Sequence, residues 1–437
     1  MQLFANTQKI RDDIIGLMTK HEISNDEFVE MLDYTIDLFE SKGLGREYYG
    51  YHNINHELEV TYCTLLGTAQ ETVEIKNDDI KYLYAAALFH DFDPEKSVDK
   101  PHEENVLKFI ESDKKLSQLI KDAGLDIEII KVLILRTTYP WVGVLKENAE
   151  EKIKDCFRNS DKTRNDIQYQ KHIMDLGWYL TVIDRISGYA LGDFTKAMEM
   201  AKMNAHALAW RPSLIVRNAV GYFEDLLNNE TEMIKPILKI LPNHMRKNFF
   251  DTVLSFMKIR QQEITIQADC AYQNVKLIPT IESMTTRNKP EFIQTLKDIM
   301  LELPRPLQFS DNFENSVKDP EVIITTLRIN SKDGEIVGYA KGGALENYKL
   351  RDEIRDENYG LANTIFLEPI AVKMGFWGLK GGSEMRHMFI LQCQSKKFRF
   401  LTSFALRQVI NARIEKEHAE FVQQFDPERW DYYRIQV

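Results

Sequence analysis

The chain has 437 residues, of which 43% are hydrophobic and 28% are charged, a balance typical of soluble globular proteins with two or three domains. Acidic residues outnumber basic ones by 67 to 56, and the net charge of −11 argues against a nucleic-acid polymer as partner, because such binding needs a basic surface. The cysteines form no CxxC pair and no apolar run approaches the roughly 20 residues of a bilayer span, so we expect a cytoplasmic protein without a membrane partner.

From the N-terminus to about residue 280, apolar residues recur at intervals of three and four, as in Ile10, Ile14 and Met18. This spacing is typical of amphipathic helices and predicts that the first two thirds of the chain are all-α. We expect a helical domain over residues 1–200 and a helical extension over residues 201–285. The amphipathic stretches of the extension also allow for a homodimer interface.

Near residue 285 the pattern changes to short β-branched runs alternating with helical ones, which predicts a separate α/β domain over residues 286–437. Asp333-Gly334 between two such runs is typical of a hairpin turn. The predicted elements are a helix over 290–303, strands over 321–329, 336–341 and 364–373, a helix over 383–393, a strand over 398–405, a helix over 407–421 and a strand over 430–435.

Histidine and aspartate residues stand out at four places along the helical part. They are His52 and His56 in YHNINH, His90 and Asp91 in AAALFHDFD, His102 in KPHEEN, and Asp184 in LTVIDRISGY. Residues four apart share a helical face, so His52 and His56 can address one cavity. The His-Asp pair ends an apolar helix, where both side chains lose hydration unless they are paired or bind a cation. Imidazole and carboxylate ligands suit Zn, Mn, Fe or Mg. Taken singly, Asp184 also fits an ion pair with Arg185, and His102 a pair with a neighbouring glutamate.

These segments resemble the HD superfamily of metal-dependent phosphohydrolases, and most closely its cyclic nucleotide phosphodiesterases. Tyr51 to Val60 (YHNINHELEV) reproduces that family's first motif, YHNxxHxxxV. The second motif, an apolar helix ending in His-Asp and followed by His and Asn, is similar to Ala85 to Asp93 with His102 to Asn105. The third, an apolar helix ending in Thr-Asp, is similar to Ile130 to Thr138. The resemblance covers about residues 45 to 195.

The resemblance implies four ligands for a divalent metal ion (Zn, Mn, Mg or Fe): His56, His90, Asp91 and Asp184. Asp175 is the alternative to Asp184. His52 would be the catalytic general acid that protonates the leaving oxygen, and His102 would lie in the outer shell or help to hold a second metal ion. Thr138 stands where the family has Asp, so the number of ions stays open. The implied reaction is attack of metal-bound hydroxide on a phosphoester.

The segment from 364 to 393 carries a predicted strand, a glycine-rich loop and a helix. Such a loop leading into a helix can hold a pyrophosphate, although glycines that serve only turns would look the same. The order of elements resembles the GNAT acyltransferase fold, which binds acetyl-CoA at the equivalent loop. The resemblance implies a cofactor-binding set of Gly378, Gly381, Gly382 and Ser383. Glu368 would then be a base, and Tyr432 or Tyr433 a proton donor unless both simply pack in the core.

The first functional hypothesis is therefore metal-dependent hydrolysis of a phosphoester in a nucleotide or similar small molecule, coupled to a GNAT-like domain. The second is an acyl-CoA-dependent N-acyltransferase in which the helical domain is a sensor or partner module. The third is a non-catalytic nucleotide-binding protein. Some HD-type proteins hold two irons and oxidise their substrates, but these need additional histidine ligands.

Overall fold

The computed structural model describes residues 7–41, 52–68, 74–95, 102–207, 211–272, 275–304, 307–396, 398–425 and 430–437. The chain divides into two compact units. Unit 1 comprises Met1–Leu208 and Asn218–Phe256, and unit 2 comprises Ala209–Arg217 and Met257–Val437. The extension that the sequence predicted over residues 201–285 is thus divided between the two units.

Helices account for the regular structure of the described chain as far as residue 271, with one 3-10 turn at Pro212–Leu214. They are α1 (Thr7–Lys20), α2 (Asp26–Ser41), α3 (Ile54–Leu66), α4 (Asn77–Phe89), α5 (Glu103–Ser112), α6 (Lys114–Asp122), α7 (Ile127–Arg136), α8 (Gly143–Asn159), α9 (Ile167–Ala190), α10 (Phe194–Ala207), α11 (Ile215–Asn229), α12 (Thr231–Ile240) and α13 (Asn243–Ala271). None of the helices in the described ranges is long and apolar enough to span a membrane.

Four of these helices form the centre of unit 1, where α9 packs against α3, α4 and α7. Helix α4 is deeply enclosed in this group, because every side chain from Tyr82 to Phe89 is buried. A helix that is apolar on all sides belongs in the interior of a domain. The residues that directly follow Phe89 therefore lie inside the unit.

The remaining elements build the sheet and helices of unit 2. They are β1 (Leu277–Ile281), α14 (Met284–Arg287), α15 (Pro290–Met300), α16 (Phe313–Lys318), β2 (Ile323–Ile329), β3 (Ile336–Ala344), β4 (Thr364–Leu367), β5 (Ala371–Val372), α17 (Gly381–Gln394), β6 (Phe400–Leu406), α18 (Arg407–Glu417), β7 (Glu420–Gln423) and β8 (Trp430–Gln436). The predicted combination of a helical region with a mixed α/β region is confirmed at this level.

The strands of unit 2 form one sheet in the order β1-β2-β3-β4-β6-β8-β7, and β5 pairs with β3. All neighbours are antiparallel except β4 and β6, which are parallel, with Thr364 opposite Phe400. The turn between β2 and β3 requires glycine at position 334, because a Cβ there would lie 1.8 Å from the carbonyl oxygen of Ile329. The hairpin at Asp333-Gly334 therefore has the turn chemistry that the sequence predicted.

Two strands were not predicted from the sequence. Residues 277–281 lie in the region that was expected to be helical, yet they pair with β2 as β1. Residues 420 and 421 were expected to end a helix over 407–421, but α18 stops at Glu417, where His418 adopts a left-handed conformation with φ 53°. The chain then returns as β7 and pairs with β8, with Phe421 opposite Tyr433.

The sheet is covered on both faces, as the alternation of side chains along β2 shows. Ile323 and Leu327 belong to the core that includes Met385 of α17. Ile324, which points to the opposite face, belongs to the core built with Phe292 of α15. This period of two is the expected pattern for a strand buried on both sides.

The first turn of α17 allows a matched test of packing. A Cβ on Gly381 would lie 2.2 Å from Cδ2 of Leu327, whereas a Cβ on Gly382 would meet only Ile370, at 4.0 Å. We expect Gly381→Ala to lower the free energy of unfolding by about 1–3 kcal/mol through overpacking. Gly382→Ala should instead raise it by about 0.5–1 kcal/mol, because alanine loses less backbone entropy in a helix. Urea denaturation checks both values, and equal effects at the two positions would contradict the packing described here.

Candidate metal centre

His56 lies in the first turn of α3, and the local sequence explains its position. Asn53 is the N-cap of this helix, and its side-chain oxygen accepts the backbone N–H groups of Asn55 at 3.0 Å and of His56 at 3.4 Å. Asparagine is favoured at this position because it satisfies N–H groups that the helix itself leaves unpaired. The cap therefore fixes where α3 begins and places His56 in the interior, where it is 4% exposed.

His52 precedes α3 instead of lying on it. The expectation that His52 and His56 share a helical face was wrong, because α3 begins at Ile54 and its N-cap is Asn53. The two imidazole rings are nevertheless adjacent, with centroids 5.7 Å apart and planes at 86°. His52 Nε2 also lies 4.0 Å from Oδ2 of Asp91. His52 thus stands beside the buried histidine and its neighbouring carboxylate.

His90 and Asp91 follow directly on the buried helix α4. His90 is the C-cap of α4 and keeps helical dihedral angles, φ −60° and ψ −30°. Its Nδ1 lies 3.0 Å from the carbonyl oxygen of Ala87, one turn earlier. His90 is 1% exposed, while the side chain of Asp91 keeps 18% of its surface accessible. The site that the pair forms is therefore buried on the side of His90 and partly open to solvent on the side of Asp91.

The fourth side chain of the cluster comes from α9. Asp184 Oδ1 lies 2.9 Å from Nε2 of His56 and 3.5 Å from Nε2 of His90. Asp91 Oδ2 lies 3.3 Å from Nε2 of His56 and 3.4 Å from Nε2 of His90. One ligand atom from each of the four residues thus lies within 4.8 Å of all the others. Side chains separated by more than a hundred positions in sequence meet at one point.

This arrangement can hold a metal ion. Donor atoms about 2.1 Å from a shared ion are about 3 Å apart when they stand at right angles and about 4.2 Å apart when they stand opposite each other. The distances in the cluster, from 2.9 to 3.5 Å between imidazole and carboxylate atoms, agree with this spacing. In addition, Nε2 of His90 is buried and lies within 3.5 Å of both carboxylates, where its lone pair could reach a bound ion.

Asp175, the alternative fourth ligand, is not part of the cluster in the described structure. Arg185 does not pair with Asp184 either. Its guanidinium group instead lies 2.7 Å from Asp225 and 3.3 Å from Glu230. Asp184 is therefore available to the two histidines, and the ion pair that sequence analysis weighed against its role as a ligand is not formed.

The charges in the cluster are strongly coupled. Burial alone would lower the pKa of His56, but hydrogen bonds to Asp184 and Asp91 outweigh burial and raise the pKa to about 9. Burial likewise opposes the charge of His90, but Glu57 and Asp91 raise its pKa well above the ordinary value. The positive charge of His90 outweighs burial at Asp91 and lowers its pKa to about 2. Burial is likewise outweighed at Asp184, where hydrogen bonds to the two histidines lower the pKa. In the absence of a metal ion, two protonated imidazoles therefore neutralise the carboxylates.

These protons must leave when a metal ion binds, because a ligating imidazole has to be neutral. The raised pKa values of His56 and His90 mean that both are protonated at pH 7. We expect metal binding at pH 7 to release protons from both rings, so that the apparent affinity rises with pH up to at least about pH 9, where the contribution of His56 ends. Calorimetric titrations in buffers of different ionisation enthalpy measure the released protons. Binding without proton release would contradict this assignment of charge.

Glu57 is a member of the site that sequence analysis missed. Its side chain is fully buried, with Oε2 2.6 Å from Nδ1 of His90. Its Oε1 accepts the backbone N–H of Asp91 at 2.9 Å. A signal was present in the sequence, because a glutamate on an otherwise buried helix beside a candidate ligand, His56, needs a partner. Nothing in the sequence showed that this partner would be the His-Asp pair.

His102 is held near the His-Asp segment by its backbone. It is the N-cap of α5, and its N–H donates to Oδ2 of Asp93 at 3.0 Å. The side-chain amide of Asn105 donates to the same oxygen at 3.1 Å. Asp93 is fully buried, so it anchors the start of α5. Within the described residues, no hydrogen bond or ion pair joins the His102 imidazole to the cluster, and its catalytic role stays a prediction.

Two parts of the predicted motifs lie outside the described residues: Tyr51, and positions 96–101 of the segment between the His-Asp pair and His102. Thr138, which stands where the related pattern has Asp, is buried at the end of α7, and its backbone N–H donates to the carbonyl oxygen of Leu135. The number of metal ions therefore stays open.

The predicted cofactor loop of unit 2 runs into α17. Gly378 has φ 83° and Lys380, the N-cap of α17, has φ 64°. Gly381 and Ser383 lie in the first turn of the helix, and Gly381 is also required for packing, as described above. A helix N-terminus presents unpaired N–H groups that attract anions. The role of Gly378, Gly381, Gly382 and Ser383 in binding acetyl-CoA stays a prediction.

Glu368, the predicted base of unit 2, directly follows β4 and lines a cavity of about 630 Å³. Its Oε1 lies 2.5 Å from Nζ of Lys341 and accepts the hydroxyl of Tyr348 at 2.9 Å. Burial raises the pKa of Glu368, although Lys341 opposes the shift. Tyr432 and Tyr433 are both fully buried, and the hydroxyl of Tyr432 donates to Asp356 at 2.8 Å.

Comparison with known proteins adds little to these observations. No family model matches the chain, and no curated protein matches it significantly. Among solved structures, it is similar to a protein from Desulfovibrio desulfuricans that is described as an acetyltransferase of the GNAT family, with 14% identity over 37% of this chain and 96% of that chain and a TM-score of 0.24. A TM-score this low does not establish a shared fold. What the two resemblances imply about activity therefore stays predicted.

Proposed function

We propose that unit 1 is a metal-dependent phosphohydrolase that acts on a phosphoester in a nucleotide or a similar small molecule. One observation carries the proposal: the two imidazole nitrogens and two carboxylate oxygens that the motifs singled out converge within 4.8 Å. His56, His90, Asp91 and Asp184 would hold a divalent ion there. When bound, such an ion lowers the pKa of a coordinated water toward 7 and neutralises charge on phosphoryl oxygens.

The protein side chains would divide the remaining work. His52 stands beside Asp91, at 4.0 Å, and is outside the ligand set. An imidazole has an unperturbed pKa near 6.5, so it can give a proton to a leaving oxygen near neutral pH. Asp91 would hold His52 in this position while also serving as a ligand. Hydrolysis of a phosphoester needs these two functions, charge neutralisation and proton donation, at neighbouring points.

The proposal is tested with the full-length protein, first stripped of metal and then reloaded separately with Mn²⁺, Zn²⁺, Mg²⁺ and Fe²⁺. Each form is assayed for phosphate release, or for ring opening, against a panel of mono-, di- and cyclic nucleotides. The expected result is turnover of at least one class of nucleotide that requires the metal and is lost in Asp91→Asn. Stoichiometric metal binding without turnover of any panel member would reject a nucleotide phosphohydrolase and favour a nucleotide-binding role.

A second candidate function is N-acyl transfer by unit 2, and the position of Glu368 favours it. This carboxylate is 3% exposed and lines the cavity described above. Aromatic side chains line the same cavity: Phe309, Tyr348, Phe404 and Trp430. A buried acceptor in an aromatic cavity suits an amine, which a base must deprotonate before it attacks a thioester.

Calorimetry with acetyl-CoA separates this function from the first. We expect saturable binding to the wild-type protein, retention of binding in Glu368→Gln, and loss of binding in Gly382→Asp. The last substitution introduces a negative charge into the first turn of α17 at a position with room for a side chain. Wild-type protein that does not bind acetyl-CoA would reject the acyltransferase.

A further inference from the structure

Glu57 makes contacts that no ordinary packing role requires. It lies on α3 directly after the ligand His56, yet its carboxylate spans both members of the His-Asp pair at the end of α4. Oε2 lies 2.6 Å from Nδ1 of His90, and Oε1 accepts the backbone N–H of Asp91 at 2.9 Å. The side chain is 0% exposed. A buried carboxylate is costly to desolvate, so these two contacts must offset a substantial penalty.

The surroundings of His90 determine which of its ring nitrogens carries hydrogen. Nδ1 faces two oxygen acceptors, Oε2 of Glu57 and the carbonyl oxygen of Ala87 at 3.0 Å. Neither the carboxylate nor the carbonyl group can donate, so Nδ1 must. In the neutral imidazole that a metal requires, Nε2 then carries the lone pair. This is the nitrogen that lies 3.4 Å from Asp91 and 3.5 Å from Asp184.

We propose that Glu57 is a positioning residue that fixes the tautomer and orientation of His90 for metal binding and anchors the backbone of Asp91. The inference concerns the metal site, and it rests on the proposed function only for its consequence in hydrolysis. Carboxylates that receive the second N–H of a ligating histidine typically contribute 10–100-fold to metal affinity or activity.

Substitution by glutamine tests this role without emptying the site. The carboxylate offers two oxygens to two N–H donors, but an amide offers one oxygen and one NH₂ group. The NH₂ group of Glu57→Gln must therefore face either His90 Nδ1 or the N–H of Asp91. The first arrangement sets an N–H group against Nδ1 of His90 and leaves the carbonyl oxygen of Ala87 as its only acceptor there, and the second releases the backbone anchor. Wrong-tautomer effects of this kind are large where a carboxylate orients a working histidine.

Helix α3 also offers a matched control. Glu59 is two residues further along, is similarly buried at 7% exposed, and pairs with Lys196. It is not among the four clustered residues. Glu59→Gln therefore removes a buried carboxylate from the same helix without touching His90 or Asp91. Thermal melts of both variants show how much each change affects folding.

Two measurements separate positioning from a structural role. Competition titrations with Zn²⁺ should show affinity weakened by about 10–100-fold in Glu57→Gln and unchanged in Glu59→Gln. In ¹⁵N-histidine NMR of the Zn²⁺-loaded protein, the wild type should show His90 protonated at Nδ1 and bound through Nε2, and this signature should be lost or altered in Glu57→Gln. A purely structural residue would lower the melting temperature while both readouts stayed as in the wild type, which would overturn the proposal.

The same data distinguish failure of this inference from failure of the proposed function. Weakened Zn²⁺ binding and an altered His90 signature in Glu57→Gln would support positioning even if no nucleotide is hydrolysed. Conversely, metal-dependent hydrolysis with Zn²⁺ affinity and NMR signature unaffected by Glu57→Gln would support the phosphohydrolase and reject a role for Glu57 in it.

Discussion

Asp184→Asn is expected to abolish stoichiometric metal binding and to reduce phosphoester hydrolysis by about a thousandfold or more. The carboxylate oxygen lies 2.9 Å from His56 and 3.5 Å from His90, so its loss removes one of the converging donors. An amide oxygen is neutral and a poorer ligand for a hard or borderline cation. A bound ion contributes several kcal/mol to stabilising the transition state, which corresponds to the expected loss in rate. Metal analysis after dialysis and steady-state kinetics measure the two effects.

The matched control is Asp175→Asn, which changes the other candidate carboxylate on the same helix, α9 (Ile167–Ala190). It should leave metal content and turnover at wild-type levels, since Asp175 is not among the four converging residues. If Asp175→Asn were the variant that lost its metal ion, or if Asp184→Asn kept it, the ligand set described above would be wrong.

His52→Asn is expected to lower kcat by about 10²–10⁴-fold on substrates with alkoxide leaving groups while leaving metal content unchanged. His52 Nε2 is 4.0 Å from Asp91 and is not one of the four ligands. Loss of a proton donor should matter little for a p-nitrophenyl ester, because that leaving oxygen departs without protonation. The measurement is kcat for an ester with an alkoxide leaving group divided by kcat for a p-nitrophenyl ester. A fall of this ratio in the variant relative to the wild type reports loss of proton donation, because loss of the metal ion would lower both values.

His102→Asn provides the comparison for this second experiment. The structure holds His102 through its backbone N–H to Asp93, which the substitution leaves intact. A small effect of His102→Asn beside a large, leaving-group-dependent effect of His52→Asn would support the assignment of the general acid. A leaving-group-dependent loss in His102→Asn, with none in His52→Asn, would transfer that role to His102.

His90 and Asp91 could be anticipated from a local signal, whereas the full set of four clustered residues was implied by the resemblance. His90 and Asp91 end an apolar helix, whereas the cap at Asn53, which sets the start of α3 and hence the position of His56, was not predicted. The motifs of a family can assign such residues to one site even when they are far apart in the chain. The geometry of His52 was misjudged because the same cap keeps it off the helix.

What the sequence could not reveal depends on partners that are distant in the chain. The role of Glu57 depends on its contacts with the residues at the end of α4, 34 positions away in the sequence. Strand β1 is short and is stabilised by pairing with β2, which lies beyond three helices, so helical periodicity nearby dominated the prediction. The end of α18 depends on the left-handed conformation of His418, and histidine is not the residue most often found in that conformation.

The buried carboxylate of Asp93 has a practical consequence for engineering the chain. One of its oxygens accepts the backbone N–H of Glu95, and the other accepts the backbone N–H of His102. A single side chain therefore holds two backbone positions that are seven residues apart in the sequence. Substitutions of Asp93 should therefore be avoided when the chain is engineered, because they would release the residues that follow the His-Asp pair and the start of α5 at the same time.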